Sequence, residues 1–214
     1  MIGNDIIDME DERNLNRFRQ KRFLDKLFNP SEQNLIAASD MPDHMVWALW
    51  SIKESAYKVV NRLTGIRSYA PLLYEVQLDS ALIKSKMINA ENNSGVEYLN
   101  SSISASGFKL FAQTLVARNF IYSHASTEYS YLNHLKWNIE KTNATKPQQQ
   151  SHIMRESAKK HIAQNSKIRI SEILISNDRS KPPLVRINHK FTDKIDLSLT
   201  HDGPYLAYSY ILHS

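Results

Sequence analysis

The sequence predicts an α+β protein built as two pseudo-symmetric lobes, each a small antiparallel sheet packed with helices. Three observations carry that expectation. Residues 47–59 have no internal Gly or Pro, and Trp47, Trp50, Ile52, Ala56 and Val59 are mostly three or four apart, the period of a helix. Segments 108–125 and 195–212 both read as β-hairpins, and each closes a unit of helix plus strands. Between the units, residues 141–150 (KTNATKPQQQ) are polar, hold a proline and show no apolar period, so they read as a linker. The expected division is a lobe over 1–125, a helix and linker over 126–150, and a lobe over 151–214.

Taken in order, residues 2–8 (IGNDIID) read as a short buried strand. Residues 11–28 suggest a helix with an apolar stripe of Phe18, Phe23, Leu27 and Phe28. Arg13, Arg17 and Lys21, four apart, form a basic stripe on another face. That stripe is either a solvated surface or a docking face for an acidic helix. Asn29-Pro30-Ser31-Glu32 marks a helix start, with Ser31 able to cap. The helix holding 47–59 is expected to run to about Arg62 and to be broken by Gly65. Alternation predicts a strand at 73–78, and Asn92-Asn93-Ser94-Gly95 predicts a turn. Helices are expected at 129–139 and 151–165. A strand follows at 168–175, then a turn at 176–180. The chain closes with a strand, the turn Asp202-Gly203-Pro204 and a second strand.

The 214 residues hold no cysteine, which excludes disulfides and thiolate metal sites. No apolar run approaches the ~20 residues that span a bilayer, and the first residues lack a basic n-region, so a cytoplasmic protein is expected. A net charge of +5 favours an acidic partner: nucleic acid, a phosphorylated small molecule or an acidic protein.

Two carboxylates stand out. At 3.6 residues per turn, Trp50, Glu54 and Lys58 stack on one face of the helix, while Lys53 points elsewhere. The commonplace alternative is an exposed i,i+4 Glu–Lys pair. Asp5, however, sits inside an apolar strand, where an acid needs a partner. Asp5 and Glu54 can converge on one hard cation, because Mg²⁺ takes one or two protein carboxylates and completes its shell with water and phosphate.

These residues carry a resemblance. Gly3-Asn4-Asp5 followed by Trp50-Ser51-Ile52-Lys53-Glu54-Ser55-Ala56-Tyr57-Lys58 resembles the paired signature of 4′-phosphopantetheinyl transferases, a G-x-D strand and a [W/F]-[S/T/C/A]-x-K-E-[S/A]-x-x-K helix. Ser180-Lys181-Pro182 and Thr200-His201-Asp202-Gly203 resemble the G-K-P and S-H-[S/D]-G segments of the two-lobed members, each with one small-residue substitution. The resemblance implies a transferase fold and a holo-acyl-carrier-protein synthase activity: a Mg²⁺-dependent transfer of the phosphopantetheine arm of coenzyme A to a carrier-protein serine, as in fatty-acid biosynthesis. By that implication Asp5 and Glu54 hold Mg²⁺, and Glu54 and Lys58 are catalytic. Lys58, Lys181 and His201 grip the phosphates, with Lys159 a weaker fourth. The Arg13/Arg17/Lys21 face receives the carrier.

Two departures matter. In the two-lobed class the lysine and histidine motifs precede G-x-D, whereas here they follow it, so the lobes are expected in permuted order. The alternative is a small single-lobe member with a long insertion at about 69–165, which would assemble as a trimer; the two-lobed reading implies a monomer. Many two-lobed members also carry a second carboxylate two residues after the strand Asp, where this chain has Ile7, and Asp8 points to the opposite face. The rival functions are a coenzyme A or carrier binder without turnover and a basic nucleic-acid-binding protein. The latter lacks any recognisable reader motif. Neither the identity of the carrier nor the choice of base, Glu54 or a metal-bound water, follows from sequence.

Overall fold

The computed structural model describes residues 1–79, 97–176 and 182–213. The first strand, β1 (Ile2–Asp8), is buried along its whole length. Two short 3-10 turns (Glu12–Asn14 and Arg17–Arg19), α1 (Lys21–Leu27) and α2 (Pro30–Ala38) lead to the long helix α3 (Pro42–Thr64). After it come β2 (Tyr74–Leu78), β3 (Glu97–Ala105), β4 (Phe108–Val116) and β5 (Phe120–Ser126). These strands form one antiparallel sheet in the order β1-β5-β4-β3-β2.

A second region repeats that order of elements. After the short helix α4 (Tyr129–His134), a strand, β6 (Lys136–Lys141), precedes a long helix, α5 (Pro147–Asn165). Then come β7 (Ile173–Ile175), β8 (Val185–Ile187), β9 (Lys190–Phe191) and the hairpin of β10 (Ile195–Asp202) and β11 (Tyr205–Leu212). The sheets are β10-β11-β6 and β7-β8-β9. The architecture is therefore α+β with two sheet-and-helix regions, an arrangement consistent with a duplicated unit.

Helix α3 lies across the first sheet because Val46, Leu49, Ile52, Ala56 and Val59 repeat at three and four and pack on Ile7, Ala112, Ile121 and Ala125. Gly65 ends it in the left-handed conformation, with φ +72°, as expected of a C-terminal glycine. Helix α5 does the same in the second region with Met154, Ala158 and Ile162 against Leu197, Tyr208 and Tyr210. Strand β1 joins the two regions. One edge pairs with β5, while on the other side the Asn4 amide donates to Ser198 Oγ at 3.0 Å and the Asp8 amide to Asp202 Oδ2 at 2.8 Å. Ile6, Tyr122, Tyr205 and Ala207 fill the space between the sheets.

Several expectations change. The segment 129–139 is not one helix: the helix stops at His134, and 136–141 is a strand paired with β11. Half-buried Trp137 and Ile139 alternate there with Lys136, Asn138 and Glu140, a strand period set by sheet pairing. The linker reading of 141–150 shrinks to 142–146, because Pro147 takes the first turn of α5, where its missing N–H costs nothing. Asn29, not Ser31, caps α2, in a reciprocal box with Glu32. Arg13, Arg17 and Lys21 do not share a helix: Asn16 turns left-handed at φ 60° and divides the segment. The strand expected over 168–175 is confined to Ile173–Ile175. The turn at 92–95, most of the turn at 176–180, and Lys181 lie outside the described residues.

Candidate functional site

Gly3 sets how closely the site is assembled. A Cβ there would stand 2.2 Å from the Ser55 carbonyl oxygen, so only glycine lets α3 settle onto β1. That approach brings Asp5 beside the motif face of α3. Asp5 is 8% exposed. Its Oδ1 accepts from Lys58 Nζ at 3.3 Å and from Thr200 Oγ1 at 3.3 Å, while its buried Oδ2 has no hydrogen-bond partner among the described residues. Lys58 also donates to the Asn4 carbonyl at 2.6 Å, and Ser51 Oγ to the Asp5 carbonyl at 3.3 Å.

Asp5 and Glu54 border one cavity of about 410 Å³, together with Trp50, Arg13, His201 and Asp202. Burial pushes the Glu54 carboxyl up to about 7, helped by the Asp5 carboxylate and opposed by Lys58. Burial likewise raises Asp5, with Lys58 pulling the other way. Asp202 is raised by burial too, and the Asp8 amide offsets part of that. Two buried acids, one of which raises the other, beside an unpartnered oxygen favour a cation. Among the described residues no group of three or more His, Asp or Glu side chains is arranged to hold a metal. A cation bound by two carboxylates would complete its shell with water and ligand oxygens, a donor set that suits Mg²⁺.

The structure thus brings Asp5, Glu54 and Lys58 together and sets His201, at the end of β10, on the same cavity from the second region. Arg13 and Arg17 border this cavity, so they stand at the rim of the site and not on a separate stripe. Lys21 pairs with Asp25 on α1. Lys159 is held by Glu156 on α5 and is not among the residues that line the cavity.

Sequence reasoning missed two contributors. Thr200 bonds Asp5 from across the seam, and its place immediately before His201 was the available signal. Lys53, next to Glu54, is fully buried and donates to Glu32 Oε2, Leu27 O and Pro71 O at 2.7, 2.9 and 3.0 Å. It anchors α3 to α2 and thereby fixes the helix that presents Glu54.

Residues 1–94 match the sequence model of a family described as ACPS, the 4′-phosphopantetheinyl transferase superfamily. The matched stretch contains Asp5, Glu54 and Lys58 and spans less than half of the chain. No curated protein matches the sequence. Among the described residues no helix is long and apolar enough to cross a membrane.

Proposed function

We propose that this chain is a 4′-phosphopantetheinyl transferase that moves the phosphopantetheine arm of coenzyme A onto a serine hydroxyl of an apo acyl or peptidyl carrier protein. One observation carries the reading. Within the family-matched stretch, Asp5 and Glu54 share a cavity, with Lys58 paired to Asp5. The serine oxygen bonds to the β-phosphorus, the bond from that phosphorus to the oxygen of 3′,5′-adenosine bisphosphate breaks, and the serine proton passes to a base.

Asp5 and Glu54 would hold Mg²⁺, which when bound supplies charge neutralisation for the phosphates. The chain's own groups do the rest. Glu54 would accept the serine proton; burial holds its carboxyl up to about 7 only while the site is free of a cation, and a bound cation would lower it. Lys58 offers a cation beside the carboxylates, and His201, with Lys181, offers contacts to the nucleotide phosphates. Arg13 and Arg17, at the cavity rim, suit the acidic face of an arriving carrier.

In this reading the two regions are the lobes of a permuted monomer. The second supplies Thr200 and His201, which a small single-lobe transferase would draw from a neighbouring subunit.

The test is intact-mass analysis of apo carrier proteins incubated with the chain, coenzyme A and Mg²⁺. The expected product is heavier by one phosphopantetheine arm. Binding of coenzyme A without any mass gain, across fatty-acid and secondary-metabolite carriers, would leave a non-catalytic binder. Stabilisation by oligonucleotide but not by coenzyme A would favour a nucleic-acid partner.

A further inference from the structure

A second cavity, of about 340 Å³, opens at the other end of β10. Ile195 and Leu197 border it, whereas His201 stands at the first site; six residues of antiparallel strand separate Ile195 from His201, roughly 20 Å. Its walls are largely apolar. Pro182, Leu184 and Phe191 come from the second region, and Phe191 is 61% exposed although it is a large aromatic side chain. Into this cavity the last turn of α3 places Arg62.

Arg62 is unusual for its surroundings. Arg62 is half-buried, and this partial loss of water pulls its guanidinium down to about 10, with Asp196 offsetting the effect only in part. A charge partly withdrawn from water gains from a partner. Among the described residues no carboxylate lies within ion-pair distance of Arg62, and its one hydrogen bond is donated by Nη2 to the Leu197 carbonyl. Asp196 is occupied elsewhere: its Oδ2 is 3.3 Å from the amine of Met1 and 3.3 Å from His213 Nε2. Asp193 also borders the cavity but is exposed, so water screens its charge. A guanidinium carries five N–H donors in a planar fork suited to carboxylate and phosphate oxygens. The cavity volume lies in the range of small-molecule sites.

We infer that the Arg62 cavity binds a small molecule carrying an oxyanion on a planar apolar body, with Arg62 taking the anion and Phe191, Pro182 and Leu184 covering the body. Neither the carboxylates of the first site nor transferase activity is involved, so this assignment stands or falls independently of the proposed reaction.

Phenyl phosphate, benzoate and the neutral benzyl alcohol are the probes, titrated into the full chain and followed by amide chemical shifts and calorimetry. At least one of the two anions binds about tenfold or more tightly than benzyl alcohol, with shifts at Leu184, Phe191 and Leu197. Which anion leads identifies the head group as phosphate or carboxylate. Arg62→Gln removes the advantage of the anion, and Arg62→Lys, which keeps the charge but not the fork, restores part of it. Equal binding of charged and neutral probes, no binding at millimolar concentration, or an advantage that survives Arg62→Gln overturns the assignment. Should Arg62→Gln fail to fold, the comparison of charged with neutral probes on the unaltered chain decides alone.

Discussion

Lys53 Nζ lies 2.7 Å from Glu32 Oε2, and neither side chain is exposed to solvent. Removing one partner strands the other charge in the interior. Lys53→Met should therefore cost about 3–5 kcal/mol in denaturant unfolding. The double variant Lys53→Met with Glu32→Leu should recover much of that, although the amides of Asn29 and Val76 lose their Glu32 acceptor. A single variant as stable as the parent would remove the anchoring role of Lys53.

Divalent cation binding should depend on Asp5 and Glu54 without any reaction taking place. With Mn²⁺ as a paramagnetic probe, Asp5→Asn and Glu54→Gln should each weaken binding about tenfold or more. Because Glu54 keeps its proton up to about 7, and proton and cation compete for it, affinity should climb as pH rises through that value. Binding that is unchanged in both variants would count against a cation at this cavity.

His124 on β5 is 2% exposed, and neither ring nitrogen has a hydrogen-bond partner among the described residues. Burial pulls it down to about 4 from an ordinary value of 6.5. The folded chain therefore takes up its proton later than the unfolded one as pH falls. Stability is complete above about 6.5 and is lost on descent to about 4, by roughly 3 kcal/mol at 1.36 kcal/mol per pH unit. Unfolding free energies measured across that window should slope upward with pH, and His124→Leu should flatten the slope. An unaltered slope would assign acid sensitivity to other groups.

Gly3→Ala should push β1 away from α3, since its Cβ would meet the Ser55 backbone oxygen at 2.2 Å. A backbone atom cannot step aside as a side chain can, so a loss at or above the usual ~1–3 kcal/mol of overpacking is expected. Cation binding should fall with it, because Asp5 and Glu54 separate. Gly65→Ala offers a contrast: its Cβ meets nothing, and only the φ of +72° is strained. Equal effects at both positions would refute the close-approach explanation.

A self-contained site predicts a monomer. Sedimentation should give one chain mass, and mixing Asp5→Ala with His201→Ala chains should not restore transfer. Restored activity would place Asp5 and His201 on different chains.

The parts legible in the sequence are those set by local period or by a fixed spacing. Helix α3 follows from its apolar repeat, the 195–212 hairpin from Asp202-Gly203-Pro204, and the meeting of Asp5 with Glu54 and Lys58 from acids in apolar settings. What escaped depends on partners far along the chain. Strand β6 is a strand because β11 is beside it. The helix period says only that Lys53 points away from the Glu54 face; its partner emerges when α2 brings Glu32 to it. Pro147 serves equally as a breaker or as a helix start, and only the following turn decides. The Arg13–Lys21 stripe failed because periodicity says where side chains would point on a helix, and Asn16 interrupts the helix.

The completely enclosed β1 has a consequence for synthesis. Its hydrogen-bonded neighbours are Phe120–Ser126 on one side and Ser198 and Asp202 on the other. At ~5–20 residues per second, a nascent chain waits roughly ten seconds after making β1 before β5 exists, and about two thirds as long again for β10. Until then an apolar strand stands with its edges unpaired, the state that invites association with other chains. Contacts spanning 194 residues also close large loops, which slows the last step of folding. The acid at the centre of the site is thus on a segment made early and locked in late, and a holdase that covers residues 2–8 during translation should raise the yield of active chain.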